Sequence, residues 1–284
     1  MSYLDSGKYI SQFTVPGTHD TTARYGGRTY QAQSWFLYDQ LMAGIRFVDM
    51  RVLLYPVDGE LIYQIDHADV FNCITLQEVI DTIAQFFLAY PTEFVFMRIK
   101  NDGVRGDEPS PLEFDEAMHV VFKNYSDIFY LENRTPKLSE VHGKVVVLRE
   151  FDRRNEFGDM GLLWSRLPKQ DWYNLKHFGG LDRKEFKIKK FFYRAMIGCP
   201  RTIHINHFSG IKKGAGPCGV ARGYDGSLNE TEGMLSRINR FFDNWSFKSA
   251  RLGIIPMDFP GCDMIHRLIA FNFDGELPFK NYVA

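Results

Sequence analysis

Residues 13 to 20 read Phe-Thr-Val-Pro-Gly-Thr-His-Asp, a β-rich run broken by Pro-Gly that places His19 and Asp20 side by side. A strand that delivers an adjacent base and acid into a loop is a common way to present catalytic groups. Later β-rich runs carry further polar residues at or near their ends: Asp49 and Arg51, His67, and Asp258. Two histidines, an arginine and several carboxylates at successive strand ends predict a site that handles a phosphate ester.

Cleavage of a phosphodiester by an internal hydroxyl needs a base, an acid and positive charge on the phosphate oxygens. Histidine, with an ordinary pKa of about 6.5, can fill either proton-transfer role at neutral pH. Arginine binds phosphate oxygens with two parallel hydrogen bonds and keeps its proton. A carboxylate behind a histidine fixes its tautomer and stabilises the imidazolium. Because this set meets every requirement without a metal, we expect neither a metal nor a cofactor.

Each residue also has a plainer interpretation. His19 or His67 alone would more often be an ordinary polar residue. Asp49 and Arg51 lie on one face of their strand by two-residue alternation and could form a structural ion pair. Lys100 could be a solvated loop lysine. A site is favoured because these side chains all lie at or just past predicted strand ends, which converge on one mouth in an α/β barrel.

Length and composition favour one globular unit. The 284 residues include 45% apolar residues and 25 Phe, enough for a large core, and no linker divides the chain. We therefore expect a single domain over residues 1–284.

Charge and composition exclude several classes of protein. The net charge of −1 gives no overall electrostatic field that would attract nucleic acid. No stretch approaches the roughly 18 apolar residues of a membrane span, and residues 1–8 lack the apolar region of a signal peptide. Four widely spaced cysteines suggest neither a zinc site nor a disulfide scaffold.

Strand and helix patterns alternate along the chain. The predicted strands are the run beginning at Phe13 and residues 46–54, 61–66, 94–99, 144–148, 201–206 and 251–257. The predicted helices are residues 35–44, a helix with an N-terminal capping box at Thr75 and Glu78 that stops at Pro91, residues 112–124, about 182–198, one capped at Asn229, and one starting near Cys262. Residues 209–227 read as a Gly-rich loop. Since neither a Gly-x-Gly-x-x-Gly motif nor a phosphate loop is present, we prefer a barrel to a doubly wound sheet.

Several motifs resemble one known family, the bacterial phosphatidylinositol-specific phospholipases C. They are Val15-Pro-Gly-Thr-His19-Asp20, Asp49-Met-Arg51, His67, Lys100, Gly143-Lys-Val-Val-Val-Leu-Arg149, Gln170-Asp171-Trp-Tyr173 and Arg251-Leu-Gly-Ile-Ile-Pro-Met-Asp258. The resemblance runs nearly end to end, and it implies a distorted, incomplete (β/α)8 barrel of the TIM type.

The resemblance also implies residue roles. His19 would be the general base on the inositol 2-hydroxyl, oriented by Asp258, and His67 would be the general acid, working with Asp20. Arg51 would hold the phosphate, with Asp49 supporting it. The remaining family positions would bind the inositol ring: Lys100, Arg149, Asp171 and Tyr173. The products would be diacylglycerol and inositol 1,2-cyclic phosphate.

Two departures bear on these roles. Family members usually have glycine after the second histidine, whereas this chain has Ala68, and Asp66 and Asp69 flank that histidine. The metal-dependent relatives carry acidic calcium ligands near the position of Arg51, so its presence agrees with a metal-independent enzyme.

A lipid substrate requires contact with a membrane interface. We expect a monomer that binds the membrane peripherally through Tyr38, Phe71, Trp172 and the basic residues Lys212, Lys213 and Arg222 of the Gly-rich loop; the alternative is a surface loop that touches nothing. The sequence leaves the compartment open, although the resemblance favours a secreted or membrane-surface protein. Two other functions stay open: cleavage of glycosyl-phosphatidylinositol anchors or another phospholipid headgroup, and non-catalytic inositide binding.

Overall fold

The computed structural model describes residues 1–68, 70–106, 109–175, 180–212, 215–224, 231–275 and 277. The strands are β1 Val15–Thr18, β2 Phe47–Val57, β3 Glu60–His67, β4 Val70–Thr75, β5 Phe94–Val104, β6 Phe129–Tyr130, β7 Lys144–Glu150, β8 Leu162–Leu163, β9 Lys169–Gln170, β10 Ile205–Asn206, β11 Gly223–Tyr224, β12 Thr231–Glu232 and β13 Ile254–Met257. The helices are α1 Gly27–Tyr30, α2 Leu37–Met42, α3 Leu76–Ala89, α4 Phe114–Asn124, α5 Gly180–Ile197, α6 Gly216–Arg222, α7 Met234–Asp243 and α8 Cys262–Ala270.

The main sheet is a curled set of parallel strands. Its order is β6-β7-β5-β2-β1-β13-β10-β9, every neighbouring pair is parallel, and β8 also pairs with β7. The antiparallel strands β3 and β4 extend from β2. Within the described residues β9 and β6 do not pair, so the sheet stays open along that edge. The predicted distorted, incomplete (β/α)8 barrel is confirmed.

Two-residue alternation divides each barrel strand between an interior and an outer face. The interior core collects alternate residues from six strands: Val15, Phe47, Phe94, Phe96, Val146, Leu148, Ile205 and Ile254. The outer face packs on the helices through the intervening residues, such as Val48, Val145 and Met257. Gly17 allows β1 to approach β2 closely, since a Cβ there would lie 2.7 Å from the Phe47 ring. The same alternation decides which residues face the barrel mouth.

The helix after β4 forms as predicted. The Thr75 hydroxyl accepts from the backbone N–H of Glu78 (3.3 Å), whose carboxylate accepts from the Thr75 N–H (2.8 Å). Its apolar stripe is buried against the outer face of the sheet, and the helix ends at Ala89, before Pro91. Within the described residues, no helix has the length and apolar content needed to cross a membrane.

Some predicted boundaries are wrong. The strand predicted at 201–206 is reduced to β10, and the strand predicted at 94–99 continues to Val104. The Gly-rich stretch contains α6, whose first turn holds Pro217, a residue that suits that position because its missing N–H needs no partner there. The predicted N-cap Asn229 and the loop residue Lys213 lie outside the described residues.

Candidate active site

His19 and Asp258 come from neighbouring strands at the barrel mouth. Thr18 of β1 pairs in register with Met257 of β13, so the residues that follow them also meet. The Nδ1 of His19 lies 2.9 Å from the Oδ1 of buried Asp258, whose Oδ2 accepts from the Gly210 N–H at 3.3 Å. A carboxylate can only accept here, so Nδ1 carries the hydrogen and Nε2 becomes the basic atom.

Asp20 lies between the two histidines. Its Oδ2 is 3.3 Å from His19 Nε2 and 3.1 Å from His67 Nε2. Both are ion-pair distances rather than aligned hydrogen bonds, since this oxygen satisfies no hydrogen-bond geometry in the described residues. His67 Nδ1 lies 2.6 Å from the Tyr30 carbonyl oxygen, which can only accept, so Nδ1 donates. The two reactive nitrogens therefore converge on one carboxylate oxygen.

Left-handed backbone follows three of these residues. Asp20 (φ 41°), Ala68 (φ 55°) and Phe259 (φ 45°) come directly after His19, His67 and Asp258. Non-glycine residues rarely adopt this region, and such strain gathers at functional sites. Each turn ends the extended run just past the side chain that it presents. Ala68 thus occupies a position for which glycine is the natural residue.

Electrostatics in this cluster favour charged forms. Burial lowers the pKa of His19, but Asp20, Asp258 and Asp49 outweigh it and raise the pKa to about 10. Burial would raise the pKa of Asp20, whereas His19, His67 and Arg51 lower it. At neutral pH the substrate-free site therefore holds a protonated His19 beside an ionised Asp20.

Asp102 holds two cations at the mouth. Its Oδ1 accepts from Arg51 Nε (3.3 Å) and Nη2 (3.1 Å) and from Lys100 Nζ (3.4 Å). Arg51 and Lys100 are partners in the β2–β5 register and lie at the same height in the barrel wall. The structural Asp49–Arg51 ion pair considered from the sequence is not formed, so Arg51 remains directed to the mouth.

Arg98 forms the floor beneath these cations. Its Nη1 donates to both carboxylate oxygens of Asp49 (2.8 and 3.0 Å), and its Nε donates to Glu150 Oε2 at 2.6 Å. The guanidinium lies 4.6 Å from the centre of the Trp164 ring. Asp49 Oδ2 in turn accepts from the Asp20 N–H at 3.4 Å.

Aromatic contacts close this floor into a ring. His207 meets the His19 ring edge-on at 5.8 Å between centroids and Trp164 at 6.2 Å. Successive contacts connect His19, His207, Trp164, Arg98 and Asp49. The circuit returns to His19 because Asp49 accepts from the N–H of Asp20, the residue next to His19. The pocket has a fixed base of buried groups, with Arg51, Lys100 and the two histidines above it.

Known proteins with similar sequences identify the family of this chain. No protein-family model matches the chain. A 1-phosphatidylinositol phosphodiesterase of Listeria monocytogenes is 30% identical over 294 residues, covering 96% of this chain and 84% of that protein. The chain belongs to the phosphatidylinositol-specific phospholipase C family.

Solved structures of the family share the fold. The phosphatidylinositol-specific phospholipase C from Listeria monocytogenes superposes with a TM-score of 0.75 at 28% identity, covering 95% of this chain and 96% of that one. A Staphylococcus aureus phosphatidylinositol-specific phospholipase C, studied for modulation of its membrane binding, gives 0.75 at 21% identity over 98% of this chain and 97% of that chain. The open barrel is thus the architecture of the family.

Arg149 is not where the family resemblance predicted it. It shares the outer face of β7 with Val145 and Val147, and its Nη1 donates to the Phe151 carbonyl at 2.8 Å. The inward residue at this strand end is Glu150, which follows Val146 and Leu148 of the interior core. Side chains of β7 point alternately to the interior and to the outer face, and Arg149 is one residue before the inward position at the strand end. The structure therefore does not bring Arg149 to the mouth.

The other predicted pocket residues lie near the mouth. Asp171 and Tyr173 follow β9, and the Tyr173 side chain is 52% exposed. Among the described residues neither makes a hydrogen bond to His19 or His67. Asp66 is held by Arg105 Nη1 at 3.0 Å, and Asp69 lies outside the described residues.

Sequence reasoning missed four residues that contact His19, Asp49 or Arg51 or lie beside them: Arg98, Asp102, Trp164 and His207. A signal for two of them existed, since Arg98, Lys100 and Asp102 alternate along β5. The predicted strand ends at residue 99, so Asp102 lies beyond it and its inward direction is not predicted.

One group of donor atoms could accommodate a metal ion. Ligand atoms of His19, Asp20 and Asp49 all lie within 4.8 Å of one another. However, both Asp49 oxygens already accept from Arg98, and a cation would sit beside that guanidinium. Like charges this close disfavour a metal, so we retain the prediction of metal-independent chemistry.

Proposed function

We propose that the protein cleaves phosphatidylinositol to diacylglycerol and inositol 1,2-cyclic phosphate. The observation that carries this proposal is the convergence of His19 Nε2 and His67 Nε2 on Asp20, with Asp258 behind His19. A non-catalytic inositide-binding module would not need two positioned proton-transfer groups. The family relationship supports the same reaction class.

Each histidine has one role in the proposed reaction. His19 Nε2 takes the proton of the inositol 2-hydroxyl as its oxygen bonds to phosphorus, and Asp258 stabilises the resulting imidazolium. His67 Nε2 gives a proton to the diacylglycerol oxygen as its bond to phosphorus breaks. The proton count balances, because the acid loses the proton that the base gains.

One carboxylate oxygen faces both histidines. Carboxylates raise the pKa of His19 to about 10, so His19 must give up a proton before it can act as the base. Asp20 Oδ2 lies 3.3 Å from His19 Nε2 and 3.1 Å from His67 Nε2, so its negative charge is placed to stabilise an imidazolium formed during the reaction.

Arg51 supplies the positive charge on the phosphate. A guanidinium binds two phosphate oxygens at once, and Lys100 adds a second cation at the same height. Both are held by Asp102, so they are oriented before the substrate arrives. The ring hydroxyls then face Lys100, Asp171 and Tyr173, whose ring is exposed enough to stack on the sugar.

Exposed aromatics near the mouth support peripheral membrane contact. Three aromatic residues are exposed here: Phe71 (42%) on β4, and Tyr25 (41%) and Phe36 (62%) in the segment after β1. The Arg24 guanidinium lies 3.3 Å from the centre of the Phe36 ring. Aromatic rings settle at headgroup level, and basic groups gain about 1 kcal/mol each near an anionic surface. Tyr38 is not part of this surface, because it packs on Phe86 in the outer core.

The acid and base roles can be tested with a leaving group that needs no proton. Replacing either histidine by Ala should reduce turnover of phosphatidylinositol by a factor of roughly 10²–10⁴. An inositol phosphodiester with a nitrophenol leaving group should restore most of the rate to His67→Ala and little to His19→Ala. Equal rescue of both variants, or rescue of His19→Ala alone, would exclude these roles.

A further inference from the structure

The inward residue at the end of β7 is an acid. Val146 and Leu148 belong to the interior core, so Glu150 is the next residue that faces the barrel mouth. Its side chain is 34% exposed, whereas that of its partner Arg98 is only 12% exposed. The Glu150 carboxylate is therefore partly accessible from the pocket while it stays paired with buried Arg98.

Glu150 lies at the height of the proposed phosphate site. Arg51 of β2 pairs with Lys100 of β5, and Lys100 pairs with Glu150 of β7. Neighbouring strands are about 4.8 Å apart, so the Arg51 and Glu150 backbones are roughly 10 Å apart around the wall. Glu150 is therefore within reach of a ring attached to a phosphate on Arg51.

The carboxylate of Glu150 is fixed by one oxygen. Oε2 accepts from Arg98 Nε at 2.6 Å and also contacts Arg98 Nη2. Arg98 is itself immobilised by Asp49 and by the Trp164 ring. No hydrogen bond from the described part of the chain reaches Oε1, so one acceptor is presented in a set orientation.

We propose that Glu150 is a specificity-determining residue that accepts a hydrogen bond from a hydroxyl of the inositol ring and repels ring phosphates. This inference rests on the proposed function. A carboxylate is a strong acceptor for a hydroxyl, and hydrogen bonds to a charged group are stronger than neutral ones. It is also a like charge for any phosphate that replaces that hydroxyl. The site should therefore select the unphosphorylated ring.

The test compares two substrates in a soluble short-chain form, so that membrane binding does not contribute. Glu150→Gln should lower kcat/KM on phosphatidylinositol roughly 10- to 100-fold, the range for loss of a charged hydrogen bond. On phosphatidylinositol 4-phosphate, the kcat/KM of the same variant should fall less or should rise. The repulsion between the carboxylate and the ring phosphate is removed, and Arg98 loses one acidic partner. The preference for the unphosphorylated ring should therefore fall.

Arg149→Gln is the matched control, one residue away on the outer face, and it should leave the preference unchanged. A purely structural role of Glu150 would lower both rates by the same factor, and that result, like no change in either rate, would overturn the proposal. If thermal unfolding shows that Glu150→Gln does not fold, Glu150→Asp replaces it. That variant should lower turnover of phosphatidylinositol and retain the preference for the unphosphorylated ring. Failure of the wild-type protein to cleave phosphatidylinositol would refute the proposed function itself.

Discussion

At the scale of single residues, the site depends on one carboxylate oxygen. Asp20 Oδ2 contacts both histidines, while Asp258 and the Tyr30 carbonyl fix the opposite ring nitrogens. Each imidazole thus has one hydrogen-bonded nitrogen and one reactive nitrogen. In the proposed reaction, the partner on the opposite ring nitrogen distinguishes the two histidines, a carboxylate for His19 and a backbone carbonyl for His67.

Lys184 is a buried cation near this site that the proposed mechanism does not use. Its side chain is fully buried in α5, and its Nζ has no hydrogen-bond partner among the described residues. Burial lowers its pKa to about 7, although Asp171 and Asp258 partly oppose this shift. Below that pH the folded protein must hold an unpaired ammonium in its interior, which destabilises it.

Lys184→Met should therefore increase the free energy of unfolding, by about 1–4 kcal/mol at pH 6. The folded pKa is lower than the unfolded value of about 10.4, so the wild-type penalty is complete below pH 7 and declines as pH rises toward 10. The advantage of the variant should shrink accordingly, as urea unfolding at pH 6 and pH 9 would measure.

Lys187→Met, on the exposed face of the same helix, should show no such pH-dependent difference. A loss of stability in Lys184→Met of equal size at both pH values would contradict the account, since it would mean that Lys184 contributes packing rather than an unfavourable charge.

Sequence alone places His19 and Asp258 at strand ends, because each directly follows a β-rich run. These two residues meet because β1 and β13 are parallel neighbours in the sheet, with Thr18 and Met257 in register. Arg149 was misplaced because a one-residue error in phase exchanges the two faces of a strand. Arg98 was missed because a charge inside a buried strand becomes understandable only when its partners Asp49 and Glu150 are known.

At the scale of elements, the turns after the strands determine where the side chains point. Positive φ at Asp20, Ala68 and Phe259 reverses the chain immediately after three site residues. The sequence showed only that Ala68 departs from the glycine usual in the family. The structure supplies the reason, because left-handed backbone carries no steric cost for glycine.

Ala68→Gly should stabilise the protein by about 0.5–1 kcal/mol, because relief of the left-handed strain exceeds the added entropy of the unfolded chain. Ala84→Gly in α3 is the control and should destabilise by a similar amount, since glycine is unfavourable inside a helix. Urea unfolding of both variants measures the difference. Destabilisation by Ala68→Gly as large as that by Ala84→Gly would show that the turn carries no strain.

Helices with local signals were predictable, and short elements were not. The capping box at Thr75 and the start of α8 at Cys262 follow from nearby residues alone. The helix α6 was hidden in a Gly-rich stretch, because its residues form a helix only through tertiary packing of Val220 and Ala221 in the core. The same holds for β10, whose two residues gain their strand form from neighbours on both sides.

At the scale of the whole molecule, the open barrel brings distant segments to one mouth. The strands β1, β2, β3, β5, β7 and β13 and the residues directly after them contribute the two histidines, the cations and Glu150, and the segment after β1 adds exposed aromatics around them. The neutral overall balance, −1 in 284 residues, leaves membrane contact to this local surface. Substrate binding and chemistry therefore occur at the same end of the molecule.

The proposed reaction is metal-independent cleavage of phosphatidylinositol by attack of its own 2-hydroxyl. Phosphorus NMR of phosphatidylinositol vesicles incubated with the protein in excess chelator tests it most directly. We predict inositol 1,2-cyclic phosphate as the first water-soluble product, at a rate that chelator does not change, because Arg51 supplies the charge that a calcium ion would otherwise provide. Turnover that is abolished by chelator and restored by calcium, or an acyclic inositol phosphate as the first product, would contradict the account.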